Sequence, residues 1–173
     1  MTNSNERHRL SLIIATLGPS TDNEKELITM LMAGIARQWT DGVDIARVLH
    51  SDGEDIARNR IDIFRSQSKK RNLSTQIYLD TDSENIDIEK YINFANTVGP
   101  DIATFPKSIG IENFSKIKDN LNAEIKISLR LKNSDSLDDL ESYYDHCAYV
   151  MIESSSQDIV DNKLVEGAKS KNV

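Results

Sequence analysis

An α/β fold built from parallel βαβ repeats follows from three observations on this 173-residue chain. Short apolar runs rich in β-branched residues alternate with longer stretches of helical period, the alternation runs the whole length, and no Pro/Gly-rich linker interrupts it. With 38% hydrophobic residues, an ordinary core is within reach. A domain near this size buries about 70% of the surface its unfolded chain exposes, so residues 1–173 are expected to form a single domain that needs no disulfide or metal staple.

The first strand is expected over residues 10–17, an apolar run closed by Gly18-Pro19-Ser20, which forces a turn. Thr21-Asp22-Asn23-Glu24 has the spacing of a capping box, and the helix it starts continues through Leu27, Ile28, Leu31 and Met32. The second strand is expected over 43–49 and a helix over 55–66. The third strand, 75–79, leads to a helix over 88–97, and the fourth, 101–105, to a helix over 111–120. The fifth strand, 125–131, leads to a helix over 137–145, the sixth is 148–152, and a last helix is expected over 156–169. Right-handed crossovers between such strands close a barrel or open a doubly wound sheet, and periodicity does not choose between them. Neither G-x-G-x-x-G nor G-x-x-x-x-G-K-[ST] occurs, so no nucleotide fingerprint supports the open sheet.

Charge narrows the functional classes. Twenty-eight acidic residues against 21 Lys and Arg give a formal charge of -7, and no basic arm gathers the cations, which argues against binding nucleic acid through its phosphates. The densest basic stretch, Lys69-Lys70-Arg71, reads as a solvated helix end stabilised by the helix dipole. One cysteine, Cys147, excludes an internal disulfide and suits a reducing compartment. Residues 1–9 are polar, and no segment approaches the roughly 18 apolar residues of a membrane span. A cytoplasmic protein with no membrane contact is expected, and the initiating methionine and polar tail lead to the expectation of a complete small product.

Two segments carry a family likeness. Ile13-Ile14-Ala15-Thr16-Leu17-Gly18-Pro19-Ser20-Thr21 and Ala46-Arg47-Val48-Leu49-His50-Ser51-Asp52-Gly53 resemble the first two strand ends of pyruvate kinase. Leu79-Asp80-Thr81 is similar to its third strand end, the run from Ile125 to Asn133 resembles the fifth strand, and Val150-Met151-Ile152-Glu153 resembles the sixth. The resemblance implies a partial TIM-type (β/α) barrel of about six strands. It implies no lid domain, because residues 82–87 lead from Thr81 almost directly into the next helix where the family inserts one. The last two barrel strands and the C-terminal domain of the family have no counterpart, and residues 36–42, with Trp39, are extra.

Taken residue by residue, the resemblance assigns Arg47 to the position of the family's substrate-phosphate arginine. Ser51, Asp80 and Thr81 match monovalent-cation ligands, but Leu49 stands at an asparagine position and offers no oxygen, so the three are vestigial. Arg130 aligns with the catalytic lysine and Lys132 with a metal-binding glutamate, and an ammonium does not ligate a cation. Ser154-Ser155-Ser156 replaces the Arg-Gly-Asp that supplies the second metal carboxylate. With both hard oxygen ligands gone, no metal site, no cofactor and no catalytic residue are assigned. Magnesium and potassium enter only if the chain retains kinase chemistry.

Strand alternation sets Ser128, Arg130 and Lys132 on one face and Ile127, Leu129 and Leu131 on the other. Arg47, Arg130 and Lys132 are therefore the anion-binding candidates, since guanidinium groups grip phosphate or carboxylate bidentately without a metal. The competing reading pairs these cations with Asp80 and Glu153 in a structural charge network, and a third makes Lys132 a Schiff-base amine. His8, His50 and His146 show no metal-ligand pattern, and His50 reads as a hydrogen-bonded strand-end residue. Cys147 reads as a small buried hydrophobe, Tyr143 and Tyr144 as helix aromatics packed on the sheet, Trp39 as core filling, and the serine run as a polar loop or cap.

The functional expectation is a catalytically inactive pyruvate-kinase-like domain that binds an anionic metabolite or a protein partner. Two alternatives stand beside it. One is phosphoryl transfer between phosphoenolpyruvate and ADP with Arg130 in the lysine role, and the other a structural subunit that completes a barrel with another chain. Six strands leave two open parallel edges, so a homo-oligomer, a protein partner or the helix expected over 156–169 should cover them.

Overall fold

The computed structural model describes residues 12–33, 42–132, 135 and 139–153. Within them the parallel βαβ class is the class observed. Six strands, β1 (Ile14–Leu17), β2 (Ile45–Leu49), β3 (Gln76–Asp80), β4 (Ile102–Pro106), β5 (Lys126–Lys132) and β6 (Tyr149–Glu153), hydrogen-bond in chain order, the order of successive strands in a (β/α) barrel. The intervening helices are α1 (Glu24–Met32), α2 (Glu54–Lys70), α3 (Ile88–Val98), α4 (Ile111–Asn120) and α5 (Leu140–Tyr144). The chain divides into two compact units, residues 1–78 and 79–173, with the division inside β3.

In the first unit β1 and β2 run parallel with Ile14 opposite Ile45 and Leu17 opposite Val48. β1 is shorter than the expected 10–17. Leu12 and Ile13 precede the ladder, because the Asp44 side chain, not a strand partner, accepts the Ile13 N–H at 2.6 Å, and Leu10 lies outside the described residues. Leu27 and Leu31 of α1 and Ala57, Ile61 and Phe64 of α2 are buried with Ala46 and Val48 of β2.

The start of α1 also differs from expectation. Thr21 Oγ1 accepts the Gly18 N–H at 2.9 Å and donates to Gly18 O at 2.9 Å, closing a short 3₁₀ turn over Pro19–Thr21. Asn23 is the residue that caps α1, accepting the Lys25 N–H at 2.9 Å. Glu24 is drawn away from capping by Gln67, whose Nε2 donates to it at 2.5 Å. α2 runs past the expected 66 to Lys70, because Gln67 and Ser68 remain buried and extend the packed face. It stops where Asn72 turns left-handed at φ 54° and the Leu73 N–H returns to Ser68 O at 3.0 Å. Lys69 and Lys70 are exposed at that end, as a solvated terminus should be.

The core of the second unit is a chain of aromatic rings. Tyr91 of α3 meets Phe105 of β4 edge-on at 5.2 Å between centroids, Phe105 meets Phe114 of α4 at 6.2 Å, and Phe114 meets Tyr143 of α5 at 5.1 Å. Such contacts add about 0.5–1.5 kcal/mol each beyond the area they bury. The Tyr91 hydroxyl donates to Leu79 O at 2.8 Å, which ties α3 to β3. Tyr143 and Tyr144 are both buried, in line with the packing role expected of them.

Strands β3 to β6 each sit one residue later than the apolar runs suggested. At β5 the Ile125 N–H closes a turn onto Asn122 O at 2.9 Å, so the strand begins at Lys126. At the other end Asp80, Lys132 and Glu153 continue their strands as polar residues, since backbone pairing is indifferent to side-chain polarity. Residues 137 and 138 of the last predicted crossover helix, the helix expected over 156–169, the run Ser154-Ser155-Ser156, Trp39 and His8 lie outside the described residues. Among those described, no helix is long and apolar enough to cross a membrane.

Candidate anion-binding site

β4 and β5 pair in parallel with Phe105 opposite Leu129 and Pro106 opposite Arg130. Phe105 points to the helices, where it meets Tyr91 and Phe114. The period of two then turns Leu129 to the helices and Ser128, Arg130 and Lys132 to the opposite face, as the sequence predicted. Arg130 is only 2% exposed, whereas the Lys132 side chain is half exposed.

The two cations converge on a carboxylate that sequence reasoning did not single out. Arg130 Nη2 donates to Glu84 Oε1 at 2.9 Å and to Ser83 O at 3.0 Å, and Lys132 Nζ lies 3.1 Å from the same Glu84 oxygen. Glu84 Oε2 accepts from Ser108 Oγ at 2.5 Å. Burial alone would push the Glu84 carboxyl up. The hydrogen bonds from Ser108 and Lys132 and the charges of Arg130 and Lys132 outweigh it and hold the group below the usual carboxylate range.

Of the two acidic partners expected for these cations, Glu153 is present at 3.9 Å from Arg130 Nη1, an ion pair beyond hydrogen-bond reach. Asp80 Oδ1 accepts the Asp82 N–H at 3.2 Å. Among the described residues Arg130 Nε and Nη1 meet no hydrogen-bond acceptor, and neither does the buried Thr104 Oγ1, on the strand next to Arg130 and opposite Ser128.

Three short segments assemble the cluster. The loop after β3 carries Ser83 and Glu84, and its start is shaped by Asp82 at φ 45° and by Thr81 Oγ1 donating to Ser83 O at 3.2 Å. Asp80 and Thr81, which matched cation ligands, are buried and take part in this turn. The 3₁₀ turn Lys107–Ile109 after β4 carries Ser108. The end of β5 carries the cations. Glu84 and Ser108 lie 24 positions apart, and Glu84 and Arg130 lie 46 apart, so no local pattern joins them.

Arg47 belongs to the first unit, where its Nη1 donates to Thr16 Oγ1 at 3.4 Å across the β1–β2 pair. Ser51 is exposed in the 3₁₀ turn His50–Asp52. In the same unit the buried Arg60 pairs with Asp22 at 2.6 Å and with Asp52, joining the turns that follow β1 and β2. His50 Nε2 lies 3.7 Å from Glu54 Oε1, beyond hydrogen-bond reach.

Other candidate chemistry fares differently. Lys132 Nζ is engaged by Glu84 Oε1 at 3.1 Å, an ion-pair contact rather than the free amine that carbonyl addition requires. Burial pushes the Cys147 thiol up to about 11, so it carries no thiolate for nucleophilic work near neutral pH. His146 and Cys147 line a cavity of about 400 Å³ with Lys118, Asn122 and Asp145. Among the described residues no three His, Cys, Asp or Glu side chains gather as a metal site would require. What the end of β5 can do is grip an oxyanion through a buried guanidinium and a half-exposed ammonium. No protein-family model matches the chain, and no curated protein matches it.

Proposed function

We propose that the chain is a catalytically inactive pyruvate-kinase-like binding module that holds a small carboxylate or phosphate on Arg130, with Lys132 as the second cation. One observation carries this reading. Arg130 is buried, yet its Nε and Nη1 have no acceptor among the described residues. Leaving a buried donor unmade costs about 1–3 kcal/mol, and an oxyanion gripped by Nη2 together with Nε or Nη1, the two forks a guanidinium offers, would supply an acceptor. Arg47, at the position matching the family's substrate-phosphate arginine, is a separate anion candidate on β2. The kinase alternative lacks support because cations stand at the end of β5 where the resemblance calls for a magnesium carboxylate.

Thermal unfolding with phosphoenolpyruvate, pyruvate, ADP and inorganic phosphate tests the proposal. At least one anion should raise the melting temperature of the wild-type protein, by the equivalent of about 2.7 kcal/mol at a hundredfold excess over Kd. The rise should shrink in Arg130→Lys, which keeps the charge and loses the fork. No rise with any anion overturns the proposal, and so does phosphoenolpyruvate turnover with magnesium and potassium that Arg47→Ala abolishes.

A second part of the reading concerns partners. Leu12, Ile13 and Ile14 are exposed at the end of the sheet where β1 lies, which supports a second copy or another protein covering that edge. The single cysteine fits a reducing, cytoplasmic setting.

A further inference from the structure

We infer that Glu84 is an internal occupant of the anion seat, a carboxylate of the chain itself that an external anion must displace. The inference rests on the proposed binding at Arg130 and adds its regulation. Both Glu84 oxygens are engaged as those of a bound ligand would be: Oε1 by Arg130 Nη2 and Lys132 Nζ, Oε2 by Ser108 Oγ. The donors come from β5 and from the turn after β4, and an incoming carboxylate or phosphate would need the same groups.

The two sides of this contact differ in how firmly they are held. Arg130 is fixed in the interior of a strand paired on both sides, by β4 and by β6. Glu84 arrives on the short loop between β3 and α3, one-third exposed, in a segment held elsewhere by 3.2 Å bonds at Thr81, Asp82, Ser83 and Asn85 and by Ser83 O on Arg130. Ser83 O shares the Nη2 donor with Glu84, so one swing of the loop frees that nitrogen completely.

Charge points the same way. With Glu84 seated, its carboxylate lies 2.9 Å from Arg130 Nη2 and 3.1 Å from Lys132 Nζ. With Glu84 withdrawn, both cations lose that partner while Glu153 stays 3.9 Å from Arg130 Nη1, and an anion replaces the lost charge. Binding is then an exchange of one carboxylate for another oxyanion, and its apparent affinity is lowered by the fraction of molecules in which Glu84 is seated.

Calorimetric titration of the full chain with inorganic phosphate and with pyruvate, in wild type, Glu84→Gln, Glu84→Ala and Arg130→Lys, tests this. Removing the internal competitor should tighten binding about tenfold in Glu84→Ala and by a smaller factor in Glu84→Gln, which keeps the shape without the charge. Hydrogen exchange of residues 82–87 in the wild-type protein should rise at saturating anion, a readout that needs no variant to fold. If wild type binds while the Glu84 variants bind equally or more weakly, or if exchange at 82–87 does not rise on binding, Glu84 is a support and the inference falls while the proposed function stands. If no protein in the series binds either anion, or if Arg130→Lys binds as tightly as wild type, the proposed function itself falls and takes the inference with it.

Discussion

Arg130 and Glu84 set the residue-scale energetics of the second unit. Removing one partner of a buried ion pair is far costlier than never having had the pair, because the remaining charge is stranded away from water. Arg130 is the buried member and Glu84 the accessible one, so the asymmetry falls on Arg130. Glu84 also links folding to pH. Its carboxyl lies below the ordinary value in the folded chain, so its contribution to stability is complete above the unfolded glutamate pKa of about 4.3 and is lost as pH falls through the depressed folded value. Glu84→Gln should therefore unfold at lower urea than wild type at pH 7, and the two midpoints should converge in acid. A gap that persists unchanged at pH 3 would mean that the charge of Glu84 contributes nothing.

Among the elements, helix ends show most clearly where local signals succeed and where they mislead. α3 stops at Gly99, which adopts φ 57° and returns its N–H to Ala95 O at 2.8 Å. Gly99→Ala should lower stability by about 1–2 kcal/mol, the penalty of a side chain in the left-handed region, measurable as a shift in the urea midpoint. An unchanged midpoint would show that the cap is not needed to end the helix. At the start of α1, Thr21 and Glu24 had the spacing of a capping box, but Asn23 caps the helix while Thr21 closes the turn before it. Residue types near a helix start indicate that a cap exists; which one caps depends on the path by which the strand enters.

For the whole molecule, the sheet order places β1 and β6 at its two ends. Exposed Leu12, Ile13 and Ile14 beside a strand edge that no other described strand pairs are an invitation to association. Sedimentation should give a mass above that of one chain, and Ile14→Lys, which sets a charge on the edge, should return it to a single chain. A single-chain mass for the wild type would mean that the edge is covered within the chain itself.

The βαβ alternation, the positions of β3 to β6 to within a residue, and the shared face of Ser128, Arg130 and Lys132 were all legible in the sequence, whereas the first two strands begin later than the apolar runs. Hydrophobic period is a local property of the chain, and a period of two survives any tertiary arrangement. Only the tertiary structure decided that Glu84 and Ser108 complete the cluster at the end of β5, that Asn23 caps α1, and that Arg130 keeps two donors without acceptors among the described residues. These depend on which loops a parallel sheet brings together at the ends of neighbouring strands, and residues 24 and 46 positions apart leave no mark of that meeting in the order of the amino acids.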